Sequence, residues 1–225
     1  MRVAVSWSGG KDSCLAYQKA IAQGHEVGSI ITFLWENPSV AHPIRIIDLQ
    51  AKTMRVKQVK MEVREPYFEQ YRKAIAHITE EERIEGIVTG DMAIVDPFHG
   101  NWMENVCKNL GVKVIKPLWN ADRRQIIEEL LYQGIRAVFS CVKQPWFSVE
   151  WIGRELNWKS LEELEALREK SGMDLCGENG EYHTIILDAP FFDEAIEISK
   201  YTKEKRNGTF FINIEEISLK PKSMH

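Results

Sequence analysis

The chain has 225 residues, enough for two domains and an ample core, and its 29 Lys+Arg against 33 Asp+Glu leave a net charge of −4. That balance excludes a protein held globally on nucleic acid or an anionic membrane, and no apolar run approaches the roughly 18 residues of a membrane span. Four cysteines, at 14, 107, 141 and 176, include no Cys-x-x-Cys pair, which argues against a zinc framework or redox motif; with no apolar signal region at the start, the chain reads as cytoplasmic.

Val3, Val5 and Trp7 alternate with smaller residues and read as a buried strand. It runs into Ser8-Gly9-Gly10-Lys11-Asp12-Ser13, where two glycines permit positive φ and Lys11 opens a helical pattern with Cys14, Tyr17 and Ile21 on one face. A strand, a glycine turn and a helix N-terminus together make an anion site, on which first-turn amides, two hydroxyls and one lysine converge. It is not a Walker A loop, which needs glycine at the place of Val5 and Ser or Thr at that of Asp12, nor does it have the three-glycine dinucleotide spacing. An ordinary turn gains nothing from the flanking serines and lysine.

Gly24 suits a helix C-cap, Val27–Trp35 a second strand, Pro38 and Pro43 a loop, and Ile44–Met54 a helix. Val56–Val63 then reads as a strand, Tyr67–Ile78 as a helix, and Ile84–Thr89 as a strand ending at Gly90-Asp91. A loop through Pro97 and Gly100 leads to a helix over Trp102–Leu110 and a strand over Val112–Ile115. This alternation predicts an α/β domain built on a parallel sheet, with its ligand crevice at the strands' carboxyl ends, where Ser8–Ser13 and Gly90-Asp91 fall. From Pro117 the texture changes, which places a boundary near Asn120 and gives domains 1–120 and 121–225. The second holds a helix from about Arg123 to Gln133, the apolar run Ile135–Val142, and a helix over Ser160–Lys170 opening on a capping-box pattern, Ser160-Leu161-Glu162-Glu163. Ile185–Leu187, Ala195–Ser199 and Thr209–Leu219 read as strands, the last two joined by an Asn207-Gly208 hairpin turn.

The densest polar stretch is Asp174–Thr184, DLCGENGEYHT. Its bland reading is a hairpin turning at Asn179-Gly180; its chemical reading is a set of carboxylates, a phenol and an imidazole able to bind a cation, hold magnesium or move a proton. Cys176 is the one cysteine lying beside candidate chemistry, and Arg154 is either a carboxylate or phosphate partner or a solvated surface arginine.

Ser8–Ser13, Glu104-Asn105-Val106-Cys107, Pro117-Leu118-Trp119, Gly153-Arg154 and Cys176–Thr184 resemble, in order, the motifs of the diphthine–ammonia ligase family, a branch of the N-type ATP pyrophosphatases of the PP-loop superfamily. The resemblance implies a Rossmann-like, HUP-type ATP-binding domain over 1–120 and a smaller α+β domain for the acceptor over 121–225. It implies a ligase that adenylates a carboxylate, diphthine on translation elongation factor 2, and passes it to ammonia with release of AMP and pyrophosphate. Ser8, Gly9, Gly10, Lys11, Asp12, Ser13, Gly90 and Asp91 would then hold ATP, and Asp12 and Asp91 would hold Mg2+. Lys11, Asp12, Glu178, Glu181 and His183 would be catalytic, the two glutamates either binding ammonium and taking its proton or holding the substrate's cationic part, with help from His183. The chain departs from the family's pattern at Gly90-Asp91-Met92 and at 96–101, ahead of Trp102. Two rivals fit parts of this pattern: a PP-loop enzyme adenylating another acceptor, a small-molecule carboxylate or tRNA, and an ATP sensor without turnover. No clear nucleic-acid surface is visible, and the oligomeric state, a homodimer included, stays open.

Overall fold

The computed structural model describes residues 1–36, 41–94 and 100–222. Pro38, Pro97 and the departures at 96–99 lie outside the described residues. Two compact units form, one from Met1–Ser8, Asp12–Ser39 and Val56–Asn120, the other from Gly9–Lys11, Val40–Arg55 and Ala121–His225. Gly9–Lys11 and 40–55 thus belong with the second unit, although they precede residue 120 in the chain.

In the first unit, β1 (Arg2–Ser6), β2 (Glu26–Trp35), β3 (Lys57–Val63), β4 (Gly86–Val88) and β5 (Lys113–Ile115) form a wholly parallel sheet in the order β3-β2-β1-β4-β5. Val3, Ala4 and Val5 are fully buried, as a strand covered on both faces requires. The strand order reverses on either side of β1, so the crevice opens where β1 and β4 end. Helix α1 (Lys11–Ala22) follows the glycine loop, and Trp7 meets its Tyr17 edge-to-face at 5.8 Å. Helix α3 (Tyr67–Glu81) continues a turn past the expected Ile78, and α4 (Trp102–Cys107) stops three residues short of Leu110 because the backbone leaves the helical region at Lys108, with ψ 126°, before Asn109 takes a left-handed φ of 62°. Tyr71, Ile75 and Ile78 of α3 and Met103, Val106 and Cys107 of α4 pack on Ala4, Ile31 and Ile87 of the sheet.

The second unit is built on an antiparallel sheet of β6 (Arg136–Lys143), β7 (Tyr182–Asp188), β8 (Glu194–Arg206) and β9 (Thr209–Pro221), in the order β7-β6-β9-β8. Asn207 and Gly208, both at positive φ, make the expected turn between β8 and β9. Helix α2 (Ile44–Met54) buries Ile46, Ile47, Gln50, Ala51, Thr53 and Met54, a stripe at helical spacing that admits two polar residues. Its Thr53 hydroxyl sits 2.7 Å from both the carbonyl and the amide of Glu194. Helix α5 (Arg123–Tyr132) is capped by Asp122. Helix α6 (Trp158–Ser171) starts two residues before the expected Ser160. Asn157 is the cap, and Ser160 is the third helical residue whose hydroxyl closes the capping box at 2.8 Å.

Candidate active site

Lys11 organises the second unit. It is 2% exposed, its ammonium donates to the Cys176 carbonyl at 2.5 Å and lies 5.0 Å from the Tyr182 ring centre, and its amide donates to the Thr184 hydroxyl at 3.1 Å. The Gly9 carbonyl accepts from the Ile186 amide and from Gln50 Nε2, both at 3.0 Å. The middle of the glycine loop is therefore laid along the start of β7 and pinned by α2. Gly9 has φ +82°, and a Cβ there would meet Gln50 Oε1 at 2.7 Å, so both the conformation and the space demand glycine.

Asp174–Glu181 is not a hairpin: no strand precedes it, and β7 begins only at Tyr182. Glu181, 2% exposed, organises this loop from within. Its Oε1 accepts from the Asp174 amide at 2.9 Å and from Asn179 Nδ2 at 3.3 Å, and its Oε2 accepts from the Asn179 amide at 3.0 Å. Asp174 Oδ1 accepts from the amides of Cys176 and Glu178, and its Oδ2 from Arg123 Nε at 2.9 Å. Burial pushes the Asp174 carboxyl up, but Arg123 and these amides outweigh it and hold the group below its ordinary value. Tyr182 Oη donates to the Leu175 carbonyl at 2.7 Å. The Glu178 amide donates to Asp174 Oδ1 at 3.3 Å, and the residue is half-buried.

His183 and His42 meet edge-to-face at 5.1 Å. Burial, followed by the Lys11 charge, holds His183 down to about 4 against the opposing pull of Glu181; burial, His183 and Lys11 hold His42 down to about 3. Both imidazoles are neutral at pH 7, and His42 Nδ1 is buried with no hydrogen-bond partner among the described residues.

In the first unit, the Ser8 and Ser13 hydroxyls lie 3.3 Å apart across the loop. Gly90 is pressed onto the start of α1: a Cβ there would come within 2.8 Å of the Asp12 carbonyl carbon, so the Gly90-Asp91 segment and Asp12 share one corner. Asn101 caps α4 by accepting from the Glu104 amide at 2.9 Å and aims Asp91 by donating from Nδ2 to Oδ2 at 3.0 Å. Beside Gly90, the buried Thr89 hydroxyl has no hydrogen-bond partner among the described residues. Two carboxylates at one corner suit a hard cation whose other ligands are phosphate and water. No group of three potential metal-ligating residues occurs among the described residues, so the protein offers no closed metal cage there. None of the four cysteines forms a disulfide and all are buried; burial pushes the Cys107 and Cys141 thiols up to about 11.

Both halves of the chain match family models for diphthamide synthase, the N-terminal domain over residues 1–114 and the C-terminal domain over 122–219. The chain belongs to the diphthamide synthase family. Diphthine–ammonia ligase of Homo sapiens is 30% identical over 227 residues, covering 87% of this chain and 82% of the relative. That of Mus musculus is 28% identical over 252 residues, covering 97% and 91%. A solved structure described as a predicted subunit of tRNA methyltransferase from Methanocaldococcus jannaschii aligns at 15% identity with a TM-score of 0.41, over 84% of this chain and 98% of that one.

In this chain, Lys11 meets the Cys176–Thr184 segment directly, while Asp12, Gly90 and Asp91 gather at one corner of the parallel sheet. Both Glu181 oxygens accept hydrogen bonds inside the protein, from the Asp174 and Asn179 amides, and so hold the loop. Of the readings open to Arg154, the structure shows a carboxylate partner within the protein: it forks onto Glu163 at 2.8 and 2.9 Å and lies 4.2 Å from the Trp151 ring centre. Gln50, His42, Asn101 and the Asp174–Arg123 pair escaped the sequence reading. Gln50 had a signal, a polar residue on the apolar stripe of α2, whereas nothing in the chain order ties residue 42 to residue 183. No helix among the described residues is long and apolar enough to cross a membrane.

Proposed function

We propose that this chain is an ATP-dependent, AMP-forming ligase that joins ammonia to the carboxylate of diphthine on translation elongation factor 2. The observation that carries the reading is the hold of the Cys176–Thr184 segment on Lys11, which brings together the two motifs most specific to the family. The curated relatives carrying the name diphthine–ammonia ligase support the acceptor and the ammonia.

A carboxylate oxygen is a poor leaving group. Its attack on the α-phosphorus of ATP expels pyrophosphate, and ammonia then displaces AMP from the acyl-adenylate. Negative charge develops on the departing pyrophosphate, so donors fixed in advance are the effective catalysts there. Ser8, Ser13 and the loop amides supply hydrogen bonds, and Lys11 supplies the charge, its position set by Cys176 and Tyr182. Mg2+, when bound by Asp12 and Asp91, would neutralise phosphate charge. Glu178, half-buried at the same loop, is the carboxylate we assign to ammonium. His183, neutral at pH 7, would assist as a hydrogen-bonding imidazole.

The test is a product assay with ATP, magnesium, ammonium and diphthine-bearing factor. AMP and pyrophosphate that depend on both factor and ammonium support the assignment. AMP formed only with another carboxylate overturns the acceptor, and no AMP with any acceptor overturns the ligase.

A further inference from the structure

The carboxyl edge of the parallel sheet carries an aromatic cluster that ATP binding leaves unexplained. Trp35 ends β2, Tyr67, Phe68 and Tyr71 lie at the start of α3, and Trp102 opens α4. Tyr71 meets Trp35 and Trp102 edge-to-face at 5.9 and 5.8 Å, Trp102 meets Phe68 at 5.8 Å, and Trp35 lies 5.0 Å from Tyr67. Tyr71 is buried, yet Trp35, Phe68 and Trp102 remain 45%, 38% and 41% exposed. Three large rings left open side by side are an unusual surface for core packing alone.

The charge around them is suited to a cation. Exposed Glu36, Glu65 and Glu69 flank the aromatics in the chain. Of the nearby guanidinium groups, Arg64 is exposed, and Arg72 is occupied by the carbonyls of Val106 and Lys108. Ring faces carry negative electrostatic potential, which attracts a cation that cannot donate hydrogen bonds. The cluster also adjoins the candidate ATP corner, because Trp102 directly follows Asn101, the residue that orients Asp91.

We propose that Trp102, with Trp35 and Phe68, binds the quaternary ammonium of the acceptor. This rests on the reading of the chain as a diphthine ligase. Diphthine carries its trimethylammonium group and its reacting carboxylate on the same carbon, so a cation site must border the adenylation site. The Asp91–Asn101–Trp102 link supplies that adjacency. A trimethylammonium group offers no hydrogen bond to read, and cation–π contact is the interaction that distinguishes it from an apolar group of equal size.

The probes are the zwitterion 2-(trimethylammonio)butanoate and its isostere 2-tert-butylbutanoate, whose tert-butyl group lacks the positive charge, titrated into the full-length protein by ligand-observed NMR. The cationic probe should bind about 5- to 10-fold more tightly than the isostere. Trp102→Leu should abolish that preference, and Trp102→Phe, which keeps a ring, should retain most of it. Equal binding of the two probes, or an unchanged preference in Trp102→Leu, overturns the proposal. A preference that persists in Trp35→Leu and Phe68→Leu as well as in Trp102→Leu overturns it too. None of these readouts uses ATP or the factor, so failure of the ligase assay leaves them interpretable.

Discussion

The chain gathers polar side chains in two places, and it uses them in opposite ways. Around Lys11 and β7, the Glu181 carboxylate, the Asp174 carboxylate, the Tyr182 hydroxyl and the Thr184 hydroxyl are all hydrogen-bonded within the protein. At the Asp12–Asp91 corner polar groups are fewer, and Asp91 is aimed by Asn101 rather than enclosed. The denser cluster spends its polar groups on fixing one cation, and the sparser one is where we propose that the ligand is met. A motif rich in acids is not on that account rich in acid–base catalysts.

The contrast is broken most directly at Lys11. Lys11→Ala and Lys11→Met should each lower pyrophosphate release about 100-fold or more, because a preorganised donor to developing charge is removed. Met keeps the buried stem, so it should unfold at higher urea than Ala while being equally slow. A Met variant with near-normal pyrophosphate release would make Lys11 a purely structural lysine.

Glu181 is the opposite case. Glu181→Gln keeps the shape, but its amide points at amides that already donate, which should destabilise the protein by about 2–3 kcal/mol in urea unfolding. Turnover well below the melting temperature should change little. Loss of a general base would instead lower turnover about 100-fold or more at unchanged stability. That outcome would return Glu181 to the chemistry.

Much of the fold was legible, and the reason is periodicity. Ile44–Met54 has the predicted bounds because an apolar stripe, Pro43 before it and a strand after it agree locally. The Asn207-Gly208 turn is equally local. What escaped was non-local. The pinning of Gly9 by Gln50 and Ile186 joins residues far apart in the chain, and no local pattern encodes it. The same holds for the His42–His183 contact. The acids of Asp174–Thr184 were visible as residue types, but whether a carboxylate is free or consumed depends on which amides the folded loop turns toward it.

The two histidines extend the contrast to pH. Both have folded values, about 4 and about 3, below the ordinary 6.5, so below pH 6.5 the unfolded chain takes up protons that the folded protein refuses. Stability is therefore complete above that pH and falls as pH drops toward 4. The loss should reach about 2 kcal/mol per histidine at pH 5. Thermal melts of His42→Asn and His183→Asn should each flatten this slope. A wild-type melting temperature constant from pH 7.5 to 5 would mean that the imidazoles are hydrated and outside the packed junction.

The smallest effect is expected at Arg154, where residue type invited a phosphate role. Its guanidinium forks onto Glu163, and the two side chains are 32% and 38% exposed. Exposed pairs couple weakly, and bidentate geometry with the Trp151 ring beneath lifts this one only to about 1 kcal/mol. A double-mutant cycle of Arg154→Ala with Glu163→Ala should show that coupling in stability, with the KM for ATP unchanged in all three variants. A rise in KM confined to the Arg154 variants would show that the arginine leaves Glu163 to meet a phosphate. The second unit would then contribute a mobile cation as well as the fixed one at Lys11.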